Sequence, residues 1–496
     1  MLSRVFSALF AVLCLFGVLT SAAAQIRLET PKVGDPPETW NMRLTGWEPL
    51  QARSAYQPTI HRHGDRYVAY VGHHGGTNRV AAPVNSMTGK AEPNGTSLID
   101  VTDPAKPRYL THIPGEPGLY EDGGAQMVRV CDGASLGGAG LGGAGLGKAD
   151  KTAVYMLRTF GNSAHEVWNV ADPAHPLPVT RLGGLKGTHK SWWECDTGIA
   201  YLVSGAEGWR VPRMTQIYDM SDPAHPLFIR NFGLPGQEPG SAGPVPTMLH
   251  GMISTGPTGN RVYFGYGTNG GGIVQIVDRE KLLKGGREPT PENLLYPQVG
   301  RLDLSPLIGA HTTYPMLGVP VPAFLHDKTG AKRDFVMIVN EQILNECLEA
   351  RQMVWFADIT VEAKGMVVSN YTAPENGGNF CARGGRFGSH ASNESFEPVF
   401  RNKLAFISYF NGGVRALDIR DPFQPREIGY FIPAITADTD ERCVKIDGKD
   451  RCKVAIQTNN VETDDRGYIY IVDRAGTGMH ILSVTGDAAA VAGLPR

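Results

Sequence analysis

The chain carries little charge for its length, and that charge is balanced. Of 496 residues only 19% are Asp, Glu, Lys or Arg, with 47 basic against 49 acidic side chains. No block of like charge stands out, so neither nucleic acid nor an anionic membrane is indicated as a partner. Long apolar runs are also missing after the first two dozen residues, and no later segment reads as a membrane span. Cysteines number seven and are never spaced Cys-x-x-Cys, which sets aside a redox dithiol or a thiolate zinc site. Neither His-Glu-x-x-His nor an acidic calcium loop occurs, so those metalloprotease and calcium-site routes lack support. A Gly-rich run, Gly133–Lys148, ends in Gly147-Lys148-Ala149. A phosphate cradle needs Gly-Lys-Ser/Thr opening a helix, and here no helical pattern comes after it, so the run reads as a loop.

What is present begins at the N-terminus. Arg4, the apolar stretch Val5–Val18 and Ala22-Ala23-Ala24 before Gln25 have the three-part layout of a secretory signal peptide. Residues 1–24 are therefore expected to be removed, leaving a periplasmic or secreted chain of residues 25–496. Cys14 falls in the signal, and six cysteines remain for disulfides in an oxidising compartment. Cys443 and Cys452 flank the turn-like Asp447-Gly448-Lys449-Asp450, which predicts a hairpin bridge. The other four allow three connectivities, of which Cys347 with Cys381 and Cys131 with Cys195 is the expected one.

Glycine (61) and proline (35) are abundant, and β-branched and aromatic residues fall in short runs, the signature of many short strands. The runs repeat. Ser97–Pro107, Val167–Pro176, Gln216–Pro226 and Arg415–Pro425 each hold a strand ending in Asp or Asn, a two-residue gap, then Asp-Pro-x-x-Pro. The Asp can accept a backbone N–H two residues on, and proline fixes φ at the next turn position. Ile273–Asp278, Val354–Asp358 and Met479–Val484 keep the strand and lose the turn, giving seven units. A period of this size predicts an all-β, single seven-bladed β-propeller. The last unit is short of strands, and a spare strand near Trp40–Leu50 would close the ring from the N-terminus, removing exposed sheet edges. These segments, with Tyr468–Asp473, resemble the LVIVD-repeat propellers of bacterial surface and secreted proteins. The resemblance implies architecture and leaves the chemistry open, because propellers host many functions.

A second regularity concerns chemistry. Upstream of four unit strands stand Gly187-Thr188-His189, Met248-Leu249-His250, Gly309-Ala310-His311 and Gly388-Ser389-His390, with Asn459-Asn460 in the same place in the last unit. The second unit offers Gln126, and the first offers His61 and His63 out of clean register. Such positions open the innermost strand, which lines the central channel, so they are expected to converge on the axis. Neutral imidazoles that converge suit a transition metal: Cu, Zn or Fe. The expected metal set is His189, His250, His311 and His390, with His61 and His63 as further candidates. Glu194 and Glu394 are candidate acid–base residues or ligands, as is Glu462. Arg383 and Arg386, on a Gly-rich loop before His390, are candidates to clamp a carboxylate or phosphate. Trp192, Trp193 and Tyr314 are candidates to wall an apolar pocket, and His73-His74 to rim the channel.

Three functions fit these residues. One is a metal-dependent enzyme, possible as an oxidoreductase, lyase or hydrolase, acting on a small molecule in the channel. Its plan is similar to that of the selenium-binding/methanethiol-oxidase propellers, whose channel histidines hold copper, although their sequence signatures are absent. The others are a non-catalytic cell-envelope binding or scaffold propeller, and a metal-free lyase or hydrolase using His and Glu.

Overall fold

A computed structural model describes residues 29–137, 149–320, 332–374 and 379–495. The expected signal peptide, and residues 138–148 of the Gly-rich run, lie outside them. Seven antiparallel sheets succeed one another as blades. Blade 1 spans Ala55–Pro114, blade 2 Val128–Leu182, blade 3 Ser191–Phe232, blade 4 Leu249–Asp303 and blade 5 Thr312–Tyr371. Each of these five has four strands in sequence order, innermost first. In blade 6 the innermost run is irregular: His390 N–H donates to the Ser408 carbonyl at 3.0 Å, and Asn393 N–H to that of Phe406 at 3.1 Å. Leu404–Ser408, Val414–Asp418 and Arg426–Ile432 complete it. Blade 7 has Thr458–Thr463, Tyr468–Asp473 and Met479–Val484, and its outermost strand is the N-terminal Met42–Glu48.

The ring is thus the expected all-β, seven-bladed propeller, closed by an N-terminal strand. The closure has one further feature. Glu38–Trp40 pairs with Arg426–Ile432 as a fifth strand of blade 6, so the N-terminal segment spans two blades. Asn41, at φ 51°, makes the step between them. Asparagine tolerates this left-handed conformation better than most residues, and its side-chain amide donates to the Ile428 carbonyl at 2.8 Å.

The repeat works through its aspartates. Asp100, Asn169, Asp219, Asp358 and Asp418 each end a third strand, and each accepts the N–H two residues on at 2.9–3.2 Å. The Asp of Asp-Pro-x-x-Pro repeats this trick: Asp103, Asp172, Asp222 and Asp421 take the N–H two residues later at 3.0–3.1 Å. Where blade 4 has lost the turn, Asp278 caps the helix Arg279–Lys284 by accepting from Lys281 N–H at 3.0 Å. The helix replaces the turn because Asp serves both as turn former and N-cap.

Burial concentrates between blades. Each of the seven blade interfaces has its own apolar cluster, such as Val336, Ile338 and Ala357 of blade 5 against Tyr263, Val274 and Ile276 of blade 4. Val461, Ile469 and Leu482 of blade 7 meet Phe406, Val414 and Phe431 of blade 6, with Ala488 and Ala489 of the C-terminal helix Gly486–Ala492. Three disulfides form: Cys131–Cys195, Cys347–Cys381 and Cys443–Cys452. The third crosses a hairpin, Glu441–Ile446 with Lys449–Val454, inserted before blade 7. Among the described residues no helix is long and apolar enough to cross a membrane.

Candidate metal centre at the propeller axis

Aligning the blades by ladder partners puts one residue of each innermost run in an equivalent place. Gln57, Gly251, Thr312 and Asn460 pair with the second strand at matching registers. Met127, Lys190 and Ala391 do so through backbone bonds to Thr159, Val203 and Ser408. The residues just before them are Tyr56, Gln126, His189, His250, His311, His390 and Asn459. At Tyr56, His250 and Asn459 the ladder slips by one residue, and such a bulge re-aims the side chain. All seven are buried.

These residues meet. Ring centroids are 4.8 Å apart for His189 and His250, 3.6 Å for His250 and His311, and 4.5 Å for His311 and His390. Tyr56 closes the arc, 5.5 Å from His189 and 6.0 Å from His390. Glu341, placed just after the second strand of blade 5, joins them. Its carboxylate lies 3.7 Å from His311 Nε2 and 3.6 Å from His390 Nε2, and Arg386 Nη1 donates to it at 2.9 Å. His250, His311 and Glu341 each offer a ligand atom within 4.8 Å of the others.

The outer ring nitrogens set the tautomers. His250 Nδ1 donates to the His311 carbonyl at 3.0 Å, and His390 Nδ1 to the Asn459 carbonyl at 2.5 Å. Asn459 continues the pattern, its amide donating to the Tyr56 carbonyl at 3.1 Å. Each bond runs from one blade to the equivalent residue of the next. With Nδ1 protonated, Nε2 of His250 and of His390 presents a lone pair. His250 Nε2 faces His189 Nε2 at 3.0 Å, and the Tyr56 hydroxyl is 3.3 Å from the latter. His311 Nδ1 shares a hydrogen bond with Thr312 Oγ1 at 2.9 Å, and its Nε2 has no hydrogen-bond partner among the described residues.

Burial holds all four imidazoles well below their usual pKa. Neighbours add to it: Arg213 at His189, His189 and Lys190 at His250, His250 and His390 at His311. At His390 the Asn459 carbonyl opposes burial and Arg474 reinforces it. The ring is therefore neutral, the form that ligates metal. Burial pushes Glu341 up to about 7, with Arg386 countering it.

Below the ring lies a buried ion cluster. Lys190 Nζ donates to Glu394 Oε1 at 2.5 Å, and Arg129 binds the other oxygen. Burial raises the Glu394 pKa, but Lys190 and Arg129 outweigh it and leave the group below its usual value. Glu462 accepts the N–H groups of Glu394, Ser395 and Thr463, and burial lifts it to about 7.

The other sequence candidates sit elsewhere. Glu194 is saturated by Arg279, Tyr201, Thr197 and Ser254 at 2.5–3.0 Å, tying blade 3 to blade 4. Arg383 pairs with Glu38, binding the N-terminal strand. His61 meets Asp132 at 3.0 Å and His63 meets the Tyr70 hydroxyl at 2.7 Å, so neither touches the axial cluster. Tyr56 holds the blade 1 position instead. His74 ends a strand and faces Glu121 at 3.3 Å beside Tyr56. Gly133-Ala134-Ser135-Leu136-Gly137 spells a Gly-x-Ser-x-Gly pattern. Ser135 is exposed and donates to the Asp132 carbonyl at 2.8 Å, which is a turn and not a nucleophile elbow. Tyr56, Glu341 and Lys190 were not singled out from sequence, since no spacing relates Tyr56 or Glu341 to the histidines. Lys190 carried a signal only in adjoining His189.

No protein-family profile matches this chain, and no curated protein matches it. Among solved structures, it is similar to Sqt1 of Chaetomium thermophilum, with 7% identity and a TM-score of 0.46 over 89% of this chain and 98% of that one. It is also similar to a chain of a mitotic checkpoint complex, with 9% identity and a TM-score of 0.43 over 98% and 99%. The class of the protein rests on its own strand ladders: a closed seven-bladed propeller with a buried axial imidazole cluster.

Proposed function

We propose that this chain is an exported propeller whose axial cluster binds a transition-metal ion, Cu, Zn or Fe, and acts on a small molecule in the central channel. One observation carries the reading: four buried, neutral imidazoles from consecutive blades adjoin one another, ligand atoms of His250, His311 and Glu341 lie within 4.8 Å of each other, and His311 Nε2 has no hydrogen-bond partner among the described residues. An unsatisfied buried nitrogen costs about 1–3 kcal/mol, which a ligated ion would offset. His189, His250, His311 and His390 would hold the ion with Glu341, and it would supply Lewis-acid or redox chemistry. The protein's part is orientation: main-chain carbonyls fix His250 and His390, and Arg386 fixes Glu341.

The turns in blades 1, 2, 3 and 6 support kinship with the LVIVD-repeat propellers. The axial histidines parallel the plan of the selenium-binding/methanethiol-oxidase propellers. Export is supported by the layout of residues 1–24 and by the three disulfides; the mature unit would be one domain, residues 25–496. A second reading has an observation of its own: the bonds from His250, His390 and Asn459 to the next blade suit a non-catalytic scaffold with a polar plug.

Elemental analysis separates the two. The exported protein, before chelation and after reloading with copper, zinc or iron, should hold about one ion per chain. His311→Ala should lower that occupancy and leave thermal unfolding of the metal-free protein nearly unchanged. A parent chain that takes up none of the three metals overturns the metal reading.

A further inference from the structure

The four blades that supply the histidines also build a cavity from the far ends of the same innermost strands. Its volume is ≈ 430 Å³, within the range of small-molecule sites. Trp192 and Trp193 line it from blade 3, Ser254 from blade 4, Leu317 from blade 5, and Phe396 and Arg401 from blade 6. The side walls are aromatic. Trp192 and Phe396 have centroids 6.2 Å apart at 71°, and Tyr314 stacks behind Phe396 at 5.3 Å.

The charges are distributed unevenly. Glu194 is neutralised by the two-point contact from Arg279. Arg401 lies over Phe396, 5.2 Å from its centroid, and its guanidinium has no hydrogen bond or ion pair with any described residue. Asp196 is exposed at another point of the lining. A flat apolar body with one anionic group satisfies the walls and Arg401, whereas Asp196 repels a second anion. Arg129 forms a link upward: it stacks on Trp192 at 4.5 Å and binds Glu394, which holds Lys190 beside His189.

We infer that this cavity binds a small aromatic monocarboxylate, its ring against Trp192 and Phe396 and its carboxylate on the Arg401 guanidinium. The inference stands apart from the metal reading, because none of these residues is an axial histidine. Arginine suits the role through its planar donors, and aromatic contacts contribute without an ion.

The test is calorimetric titration of the whole chain, stripped of metal by chelator, with benzoate, benzyl alcohol and terephthalate. Benzoate should bind saturably, benzyl alcohol at least about tenfold more weakly, and terephthalate no better than benzoate, since about 1.4 kcal/mol of charge-assisted bonding is tenfold. Arg401→Gln should bring benzoate down to the level of benzyl alcohol, and Arg401→Lys should restore part of the difference. Thr258→Trp, at an exposed rim position of the same cavity, should abolish binding of all three with melting unchanged. Absence of saturable benzoate binding overturns the inference. So does benzoate binding that survives both Arg401→Gln and Thr258→Trp. Because metal is absent from the titration, either failure leaves the histidine site untouched.

Discussion

Two histidines of the axial cluster differ in what they are tied to, and this makes them separable. His250 Nδ1 bonds the carbonyl of His311 in the next blade, while His311 Nδ1 bonds only its own neighbour Thr312. His250→Ala leaves a buried carbonyl without its donor and should cost about 1–3 kcal/mol. His311→Ala should cost about 1 kcal/mol or less, measured by denaturant unfolding of metal-free protein. Equal, large losses would mark both as structural pins. Two histidines outside the cluster contribute to the acid response. Burial pushes His165 down to about 4, against the Val203 carbonyl, and His480 to about 3. The unfolded chain protonates them near 6.5, so their contribution is whole above that pH and is lost as pH falls toward 4. The slope is about 1.4 kcal/mol per pH unit for each group. His480→Gln should make the decline between about pH 6.5 and 4 shallower, read from urea midpoints at a series of pH values. A parallel decline in the variant would contradict this account.

At the scale of elements, the N-terminal segment and the disulfides invite tests. Deleting residues 25–48 would strip Met42–Glu48 from blade 7 and Glu38–Trp40 from blade 6, baring two strand edges. Open edges template association, so the shortened chain should aggregate and lose cooperative unfolding, seen by light scattering and calorimetry. An intact melting transition would show that the ring holds without its closing strand. Cys131–Cys195 joins the innermost strand of blade 2 to blade 3 across 64 residues. By loop-closure entropy, replacing both with Ala should cost about 4 kcal/mol, measured by denaturant titration against the oxidised parent. The turns were legible because Asp and Pro act locally. The helix Arg279–Lys284 was not, because the same Asp that forms a turn also caps a helix, and in blade 4 the residues after Asp278 tip the balance to the helix.

For the molecule as a whole, burial between blades explains why seven weak units make one body. Each apolar cluster is shared by neighbours, as where Tyr70 and Leu98 of blade 1 meet Val128 and Met156 of blade 2. A single blade keeps half of each interface exposed and lacks the core to stand alone. Closure supplies the last interface, where Leu50, Ala69 and Ile99 meet Tyr470, Val472 and Ile481. The same closure brings seven equivalent residues to one axis, which gives a linear repeat a site.

The local chemistry of the sequence determined the blade count, the closing strand, the hairpin disulfide Cys443–Cys452 and the shared offset of His189, His250, His311 and His390. These depend on neighbours within a few residues, or on counting. Tertiary structure alone decided the partners. Glu341 comes from the far end of a second strand, Tyr56 replaces the expected His61 and His63 through a one-residue slip, and Glu194 turns away to Arg279. A ring brings residues hundreds of positions apart within hydrogen-bonding distance, as Asn459 and Tyr56 are. No pattern along one chain encodes that Glu341 faces the axis while Glu194 turns aside, because the arginines that hold them, Arg386 and Arg279, come from the neighbouring blade.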